Sequence, residues 1–179
     1  MKGRYQPQQK ILDAGCGGGR NMKWFLQNDF EIYGVDSSQA AIIHLKQVND
    51  SLPPLRLQVA FLEKLPFEEN YFDHVICSAV LHFANDVDHF KQMLAEMLRV
   101  LSHTGSLFIR MASDVGIEGK VKLISNGNYQ IPDGSMRFLL TRSLLAESMK
   151  EFNLKFLEPF KTVNVNDLRC MSTLMLQKK

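Results

Sequence analysis

A run of glycines directly follows an acidic residue near the start of the chain, in the stretch ILDAGCGGGRN of residues 11–21. Four of the five positions from Gly15 to Gly19 are glycine. Glycine allows positive φ angles and lets a ligand approach the main chain closely. Apolar residues at helical spacing follow, so free N–H groups at the start of a helix would face a polar or anionic ligand. The stretch therefore predicts a ligand-binding turn between a strand and a helix.

The glycine spacing argues against two common phosphate-binding loops. A dinucleotide-binding loop has the pattern GxGxxG, but the sixth position is Arg20 when counted from Gly15 and Met22 when counted from Gly17. The pattern GxxxxGK[ST] also fails, because no suitable lysine follows the glycines. Asp13 would repel a pyrophosphate and suits a cationic amine instead.

A second acid, Asp36, ends the next predicted strand, 21 residues after Gly15. An acid at this place can accept hydrogen bonds from both hydroxyl groups of a ribose. S-adenosylmethionine (SAM) is a ligand that has an amino group and a ribose but no phosphate. The two acids and the glycines therefore favour a SAM site over a nicotinamide site.

Alternating strands and helices must position these residues. We expect strands near 10–13, 30–35, 55–60, 72–80 and 106–111, and helices near 20–28, 38–48 and 86–101. This alternation predicts an α/β protein with a mostly parallel sheet and helices on both faces. A turn at 102–105, a helix at 142–152 and an antiparallel edge hairpin of strands near 154–163 and 170–176 complete the prediction. Ligands bind such sheets beyond the carboxyl ends of the strands.

Three groups of residues together resemble the class I SAM-dependent methyltransferases. They are Asp13–Gly19, Gly34–Ser37, and Leu65–Phe67 with Phe72–Asp73. The resemblance is strong over residues 10–111 and implies a Rossmann-like fold with a seven-stranded sheet, SAM as cofactor and S-adenosylhomocysteine as product. The small tellurite-resistance-type methyltransferases look most similar, through Gly19–Asn21, Val80–Phe83 and Arg137–Thr141.

The resemblance also implies roles for individual residues around the cofactor. Gly15, Gly17 and Gly19 would contact its methionine end, where Asp13 would hold the ammonium group directly or through water. Asp36 would bind the ribose hydroxyls. Further residues expected to line the cofactor site are Cys16, Asn21, Ser37 near the adenine, Ser78 and Phe83.

Adenine recognition departs from the pattern of the family. Many relatives have an acid that accepts a hydrogen bond from the adenine N6, and Phe61 stands at that position here. The adenine would then stack on Phe61 and use backbone groups of Leu62, or Glu63 would reach it. The sequence leaves these two alternatives open.

His82 follows the predicted fourth strand directly and is the candidate catalytic residue. It could act as a general base, hydrogen-bond the methyl acceptor, or only fill the rim of the site. Phe83 could be part of the core or face the sulfonium, which aromatic rings attract. The candidate substrate residues besides His82 are Arg110 and Arg137, which suit an anionic acceptor or simple surface placement, and Met111. We expect acceptor specificity to lie in the glycine-rich stretch 112–138 and around His82.

Composition limits the range of partners. The 179 residues predict a single domain over 1–179, and 21 basic against 19 acidic residues give a net charge of +2. This balance argues against nucleic acid and membrane partners. Residues 78–81, after the fourth strand, also lack the Asn-Pro-Pro-Tyr-type stretch of DNA adenine methyltransferases, so a small-molecule acceptor is favoured. Three cysteines without a CxxC pair fit a reducing, cytoplasmic location without a metal site. No pattern indicates an oligomeric state.

These observations predict a SAM-dependent methyltransferase that acts on a small molecule by in-line methyl transfer. No catalytic triad is required, because the cofactor carries the activated carbon and the protein mainly orients the reactants. The alternative from another class is a catalytically silent SAM-binding module that regulates a partner, since an intact loop supports binding without proving turnover. A nicotinamide dehydrogenase is disfavoured by the missing sixth glycine.

Overall fold

The computed structural model describes residues 5–6, 8–49 and 52–179. The first part of the chain alternates strands and helices as predicted. Its elements are β1 (Lys10–Ala14), α1 (Met22–Gln27), β2 (Glu31–Asp36), α2 (Gln39–Val48), β3 (Leu57–Val59), β4 (Phe72–Ser78), α3 (Val87–Val100) and β5 (Leu101–Ser113). These five strands lie parallel in the order β3-β2-β1-β4-β5. Their carboxyl ends therefore meet at one edge of the sheet.

The second part of the chain adds antiparallel strands. A separate three-stranded sheet consists of β6 (Lys122–Ser125), β7 (Asn128–Gln130) and β8 (Met136–Phe138). It is followed by α4 (Arg142–Glu151), β9 (Leu154–Phe156), β10 (Lys161–Val165) and β11 (Arg169–Lys178). Strand β11 pairs antiparallel with β5 and with β10, which confirms the predicted edge hairpin.

The main sheet has eight strands rather than the seven that were expected. The predicted strand near 154–163 divides into β9 and β10, and both pair with β11. Pro159 lies between them, and proline has no N–H group to donate to a strand ladder. The division therefore leaves the predicted architecture intact and adds a short strand at its edge.

Helices cover both faces of the sheet because apolar side chains alternate along the strands. In β1, Ile11 belongs to a cluster with Met22 and Phe25 of α1, while its neighbour Leu12 belongs to a cluster with Phe90 of α3. Successive strand residues point to opposite faces. The prediction of helices on both faces is therefore confirmed.

Side-chain caps fix the starts of three helices. Oxygen atoms of Ser38, Asp86 and Thr141 accept the backbone N–H three residues later, at 3.3, 2.8 and 3.1 Å. Each bond satisfies a donor that the first helical turn leaves free.

Among the described residues, no helix is long and apolar enough to cross a membrane.

Two stretches differ from the sequence prediction. The predicted turn at 102–105 is strand, because β5 already begins at Leu101 and its register against β4 shifts between Phe72 and His74. Gly105 permits this shift, since a Cβ there would lie 2.5 Å from the carbonyl oxygen of Asp73. The glycine-rich stretch 112–138, which lacks clear periodicity, contains the small sheet of β6, β7 and β8.

Candidate functional site

The glycine turn after β1 is shaped by positive φ angles. Gly15, Gly17 and Gly19 have φ values of 82°, 49° and 75°. A Cβ at Gly15 would collide with the side chain of Val80, and one at Gly19 would collide with Leu45. Gly17 has no atom within 4 Å of such a Cβ. The turn is therefore packed tightly at both ends and faces open space in its middle.

Asp36, at the end of β2, ties this turn to the neighbouring strand. Its Oδ2 accepts the N–H of Gly17 at 2.8 Å, and its Oδ1 accepts the N–H of Ser38 at 2.8 Å. Each carboxylate oxygen has more than one acceptor position, so both can still accept hydroxyl groups. Ser37 beside it is exposed. Asp36 is therefore held in place and remains able to bind a ribose.

Asp13 is a buried acid with an incomplete set of partners. It is fully buried, Asn21 Nδ2 donates to its Oδ1 at 3.3 Å, and its Oδ2 has no hydrogen-bond partner. The pKa of Asp13 is raised to about 7, mainly by burial. The hydrogen bond from Asn21 opposes this shift, and the charge of Asp36 adds to it. A cationic amine would supply the missing donors. This arrangement fits the ammonium group of SAM, as the open turn and Asp36 fit its other polar groups.

The residues expected near the adenine are arranged differently from one another. Phe61 is 62% exposed, whereas Leu62 is buried in the core. The carboxylate of Glu63 lies 3.5 Å from Nε2 of His89. Ala60 donates its N–H to the carbonyl oxygen of Asp36 at 3.0 Å, so this segment runs beside the end of β2. Phe61 is thus available for stacking, while Glu63 is engaged with α3.

The side chain of Cys16 does not face the open side of the turn. It is buried in the cluster with Met22 and Phe25, and burial raises the pKa of its thiol to about 12. Only the backbone of Cys16 can contribute to a ligand site there.

A cavity of about 250 Å³ lies beyond the carboxyl ends of β4 and β5. We call it the arginine pocket, and its lining includes Ala79, His82, Arg110, Asp133, Arg137 and Arg169. Ala79 and His82 flank Val80, the residue against which Gly15 packs. The glycine turn and the arginine pocket therefore both contact the short segment after β4.

Met111 does not line this pocket, which corrects the sequence prediction. It is fully buried in the core cluster that contains α3, whereas Arg110 and Ala112 line the pocket. Alternate residues of a strand point to opposite faces, so the three cannot share one face. Ser78, at the end of β4, is half-buried and pairs with Arg110 in the sheet register.

His82 is a neutral hydrogen-bonding group in this structure. Its Nδ1 accepts the N–H of Ala112 at 3.4 Å, so the proton of the neutral ring lies on Nε2. Burial lowers the pKa of His82 to about 4, helped by the charges of Arg137 and Arg110. The accessible nitrogen is therefore a donor, and the ring is poorly suited to be a general base.

Phe83 is at the surface rather than in the core. It is 63% exposed, its ring centroid lies 4.5 Å from that of His82, and the guanidinium of Arg137 lies 5.4 Å from its centroid. The structure thus brings together His82, Phe83, Arg110 and Arg137. Among the described residues, no group of three or more His, Cys, Asp or Glu side chains could hold a metal ion.

Sequence reasoning missed Arg169 as a member of this group. It opens β11, whose next residue, Cys170, pairs with Ser113 at the end of β5. Only this antiparallel register brings Arg169 to the pocket, and no local motif marks it.

The family model described as a methyltransferase domain matches residues 12–109, which include the glycine turn, Asp36 and β4. The chain belongs to this methyltransferase family. The methyltransferase domain has SAM as its cofactor and the class I, Rossmann-like fold, as the sequence predicts. The narrower resemblance to tellurite-resistance-type enzymes stays a prediction.

Two curated relatives of this methyltransferase domain are similar over most of its length. The uncharacterized methyltransferase YodH of Bacillus subtilis is 32% identical over 124 residues, covering 68% of this chain and 48% of that protein. The phthiotriol/phenolphthiotriol dimycocerosates methyltransferase of Mycobacterium leprae is 28% identical over 151 residues, covering 82% of this chain and 54% of that protein. The chain thus spans about half the length of these relatives.

Solved structures show the same fold as this methyltransferase domain. A SAM-dependent methyltransferase from Methanosarcina mazei superposes with a TM-score of 0.76 at 17% identity, covering 98% of this chain and 94% of that one. The 1,6-didemethyltoxoflavin-N1-methyltransferase of Burkholderia thailandensis superposes with a TM-score of 0.73 at 18% identity, covering 96% of this chain and 72% of that one. That structure contains bound 1,6-didemethyltoxoflavin and S-adenosylhomocysteine.

Proposed function

We propose that this domain transfers the methyl group of SAM to a small molecule bound in the arginine pocket, leaving S-adenosylhomocysteine. The observation that carries the proposal is that two sites contact the same segment around Val80. The first is the glycine turn, beside the unpartnered Oδ2 of Asp13, and the second is a cavity of about 250 Å³. The methyltransferase of Burkholderia thailandensis, with its namesake compound and S-adenosylhomocysteine bound, supports a small-molecule acceptor by analogy.

We assign the methionine end of SAM to the glycine turn. Asp13 would accept the ammonium group, and Asn21 would orient Asp13 through its hydrogen bond to Oδ1. The N–H groups of Gly15, Cys16, Gly17 and Gly19 already donate within the fold. A ligand carboxylate would therefore use the N–H groups of Gly18 and Arg20, just before α1. Gly15 and Gly19 would act by holding the shape of the turn, because any side chain there would collide with a neighbour.

We assign the nucleoside end to the edge formed by β2 and the segment after β3. Asp36 would accept the ribose hydroxyls through the free lone pairs of its two oxygens. The exposed ring of Phe61 would stack on the adenine, with Ser37 and the backbone of Leu62 close by. Ser78 would line the boundary with the acceptor.

The protein residues contribute by holding and orienting the reactants. SAM supplies a methyl group that its sulfonium already activates. The Nε2–H of His82 would donate a hydrogen bond to the acceptor, and the exposed ring of Phe83 would shield the reacting groups from water. A protein base is needed only when the acceptor must lose a proton early, and His82 is not that base.

The small-molecule proposal has consequences for partners and location. A cavity of about 250 Å³ suits a small ligand rather than a nucleic acid duplex. The three cysteines, Cys16, Cys77 and Cys170, are all buried and unpaired, which supports a reducing, cytoplasmic setting.

Calorimetric titration of S-adenosylhomocysteine into the wild type and Asp36→Ala tests the cofactor site. We expect the substitution to weaken binding by roughly tenfold or more, because a charge-assisted hydrogen bond contributes about 1.5–3 kcal/mol. Asp88→Asn, which removes a carboxylate from the exposed surface of α3, is the matched control and should bind like the wild type.

The outcomes separate the competing functions. Equal affinity in the wild type and Asp36→Ala would remove Asp36 from the site, and competition by NAD would support a dehydrogenase. Binding of S-adenosylhomocysteine without methyl transfer to any of a broad acceptor panel would favour the silent regulatory module.

A further inference from the structure

The arginine pocket concentrates positive charge from three separate elements. Arg110 lies in β5, Arg137 in β8 and Arg169 at the start of β11. Among the described residues that line the pocket, Asp133 is the one carboxylate, and its Oδ1 accepts the N–H and the hydroxyl of Ser135 at 2.9 and 2.7 Å. Three guanidinium groups and one carboxylate therefore line the cavity, and one oxygen of that carboxylate already accepts two hydrogen bonds.

Two of these arginines have no partner for their guanidinium groups. Within residues 5–6, 8–49 and 52–179, neither Arg110 nor Arg169 makes a salt bridge or a side-chain hydrogen bond, although Arg110 is half-buried. Arg137 donates to the carbonyl oxygen of Met136 at 2.7 Å and packs over Phe83. A half-buried cation without acceptors is costly, so this arrangement favours an anion from outside the chain.

Other arginines of the chain contrast with this group. Arg99 donates to Glu96 at 2.7 Å and to two backbone carbonyls at 2.9 and 3.0 Å. Arg56 lies 3.8 Å from Glu31 and packs over Tyr33 at 5.4 Å. These arginines have partners within the fold, whereas the donors of the pocket arginines remain available.

We propose that the methyl acceptor carries an oxyanion, a carboxylate or a phosphate, which Arg110, Arg137 and Arg169 bind in the arginine pocket. This inference rests on the proposed function for the identification of the pocket as the acceptor site. The planar guanidinium group matches both anions with paired N–H donors. His82 adds a neutral N–H donor at the same cavity, which suits an oxygen acceptor.

Benzoate, benzamide and inorganic phosphate are the probes for this inference. They are titrated by calorimetry into protein saturated with S-adenosylhomocysteine, at constant ionic strength. Benzoate and benzamide have similar size and shape but differ in charge. We expect benzoate to bind at least tenfold more tightly than benzamide, because charge-assisted hydrogen bonds are about twice as strong as neutral ones. Phosphate shows whether the pocket prefers that anion to a carboxylate.

Variants identify the residues that hold the anion. We expect Arg110→Gln and Arg169→Gln each to weaken benzoate or phosphate binding roughly tenfold and to leave S-adenosylhomocysteine binding unchanged. Arg56→Gln is the control, because it removes a guanidinium group of the same charge that does not line the arginine pocket. Arg169 is exposed, so its substitution tests the site without endangering the fold.

The outcomes for the pocket and the cofactor are distinguishable. Equal binding of benzoate and benzamide, no binding of either anion, or anion binding that Arg110→Gln and Arg169→Gln leave unchanged would each overturn the anionic acceptor. Arginine-dependent anion binding in a protein that fails to bind S-adenosylhomocysteine would overturn the proposed function and leave an anion site.

Discussion

The two halves of the site are built in opposite ways. The cofactor half takes most of its groups from residues 13–37, and its charged groups are the carboxylates of Asp13 and Asp36. The acceptor half gathers guanidinium side chains from β5, β8 and β11, which are far apart in the chain. In the proposed function, one half would bind a cationic amine and the other an anion. A short local motif can specify the first, but only the topology of the sheet can assemble the second.

Each half contains a buried titratable group whose pKa is shifted toward the neutral form. Burial raises the pKa of Asp13 to about 7 in one half and lowers the pKa of His82 to about 4 in the other. The same desolvation therefore acts in opposite directions on an acid and a base. In the cofactor half, an arriving ammonium group would favour the charged form of Asp13.

The strongest test of the cofactor half is Gly15→Ala. Its φ of 82° is strained for alanine, and the new Cβ would collide with Val80. We expect the free energy of unfolding to fall by about 2–4 kcal/mol and S-adenosylhomocysteine binding to be lost. Chemical denaturation and calorimetry measure the two effects.

Gly18→Ala and a second-site change provide controls for this test. Gly18 has no positive φ, and a Cβ there would meet nothing within 4 Å, so its substitution should change stability by less than about 1 kcal/mol. Val80→Ala added to Gly15→Ala should recover part of the lost stability by removing the collision. If Gly15→Ala behaves like Gly18→Ala, the turn does not depend on close packing against Val80.

The sequence predicted the parts of the fold that depend on local signals. The alternation of elements and the turn after β1 follow from periodicity and residue type, and the structure confirms them. The long β5 could not be predicted, because it depends on pairing of Leu101 with Phe72 across a register shift. Tertiary pairing overrode the turn that His103 and its neighbours indicated.

The candidate site divides in the same way. Asp13 and Asp36 were predicted from their spacing to the glycines, which is a local signal. Met111 was misplaced because the choice between the two faces of β5 depends on packing. Arg169 was missed because its approach to the pocket depends on the antiparallel register of β11 with β5.

The pH dependence of stability sharpens the comparison of the two halves. Between pH 3.8 and about 7, the folded protein holds a proton on Asp13 that the unfolded chain has released, so this residue makes stability fall as pH rises. Between about pH 4 and 6.5, the unfolded chain holds a proton on His82 that the folded protein lacks, so this residue makes stability rise with pH. The two contributions nearly cancel between pH 4 and 6.5.

Single substitutions should expose each contribution. Between pH 4.5 and 6.5, the free energy of unfolding of Asp13→Asn should have a more positive slope against pH than that of the wild type. The difference should be at most about 1.4 kcal/mol per pH unit. His82→Gln should have a more negative slope than the wild type by a similar amount. Urea denaturation across this range measures both slopes, and the double variant should again run parallel to the wild type. Slopes equal to that of the wild type in both single variants would show that burial shifts neither the pKa of Asp13 nor that of His82.

The smallest expected effect concerns the outer edge of the cofactor half, where Phe61 and Glu63 compete for the adenine. Stacking on an aromatic ring contributes about 1–3 kcal/mol by alanine substitution, and the 62% exposure of Phe61 favours the lower end. We therefore expect Phe61→Ala to weaken S-adenosylhomocysteine binding roughly fivefold. Glu63→Gln should change it by less than about twofold, because this carboxylate faces His89 at 3.5 Å.

S-inosylhomocysteine separates stacking from recognition of the adenine N6. The hypoxanthine base of this analogue keeps an aromatic face for Phe61 but lacks the N6 amino group, which would donate a hydrogen bond to a carboxylate. If Phe61 stacks on the base, the wild type should bind both ligands with similar affinity, and Phe61→Ala should weaken both equally. If Glu63 turns from His89 to the adenine, the inosine analogue should bind more weakly to the wild type, and Glu63→Gln should remove that difference. The second result would mean that Glu63 gives up its contact with His89 in order to bind the cofactor.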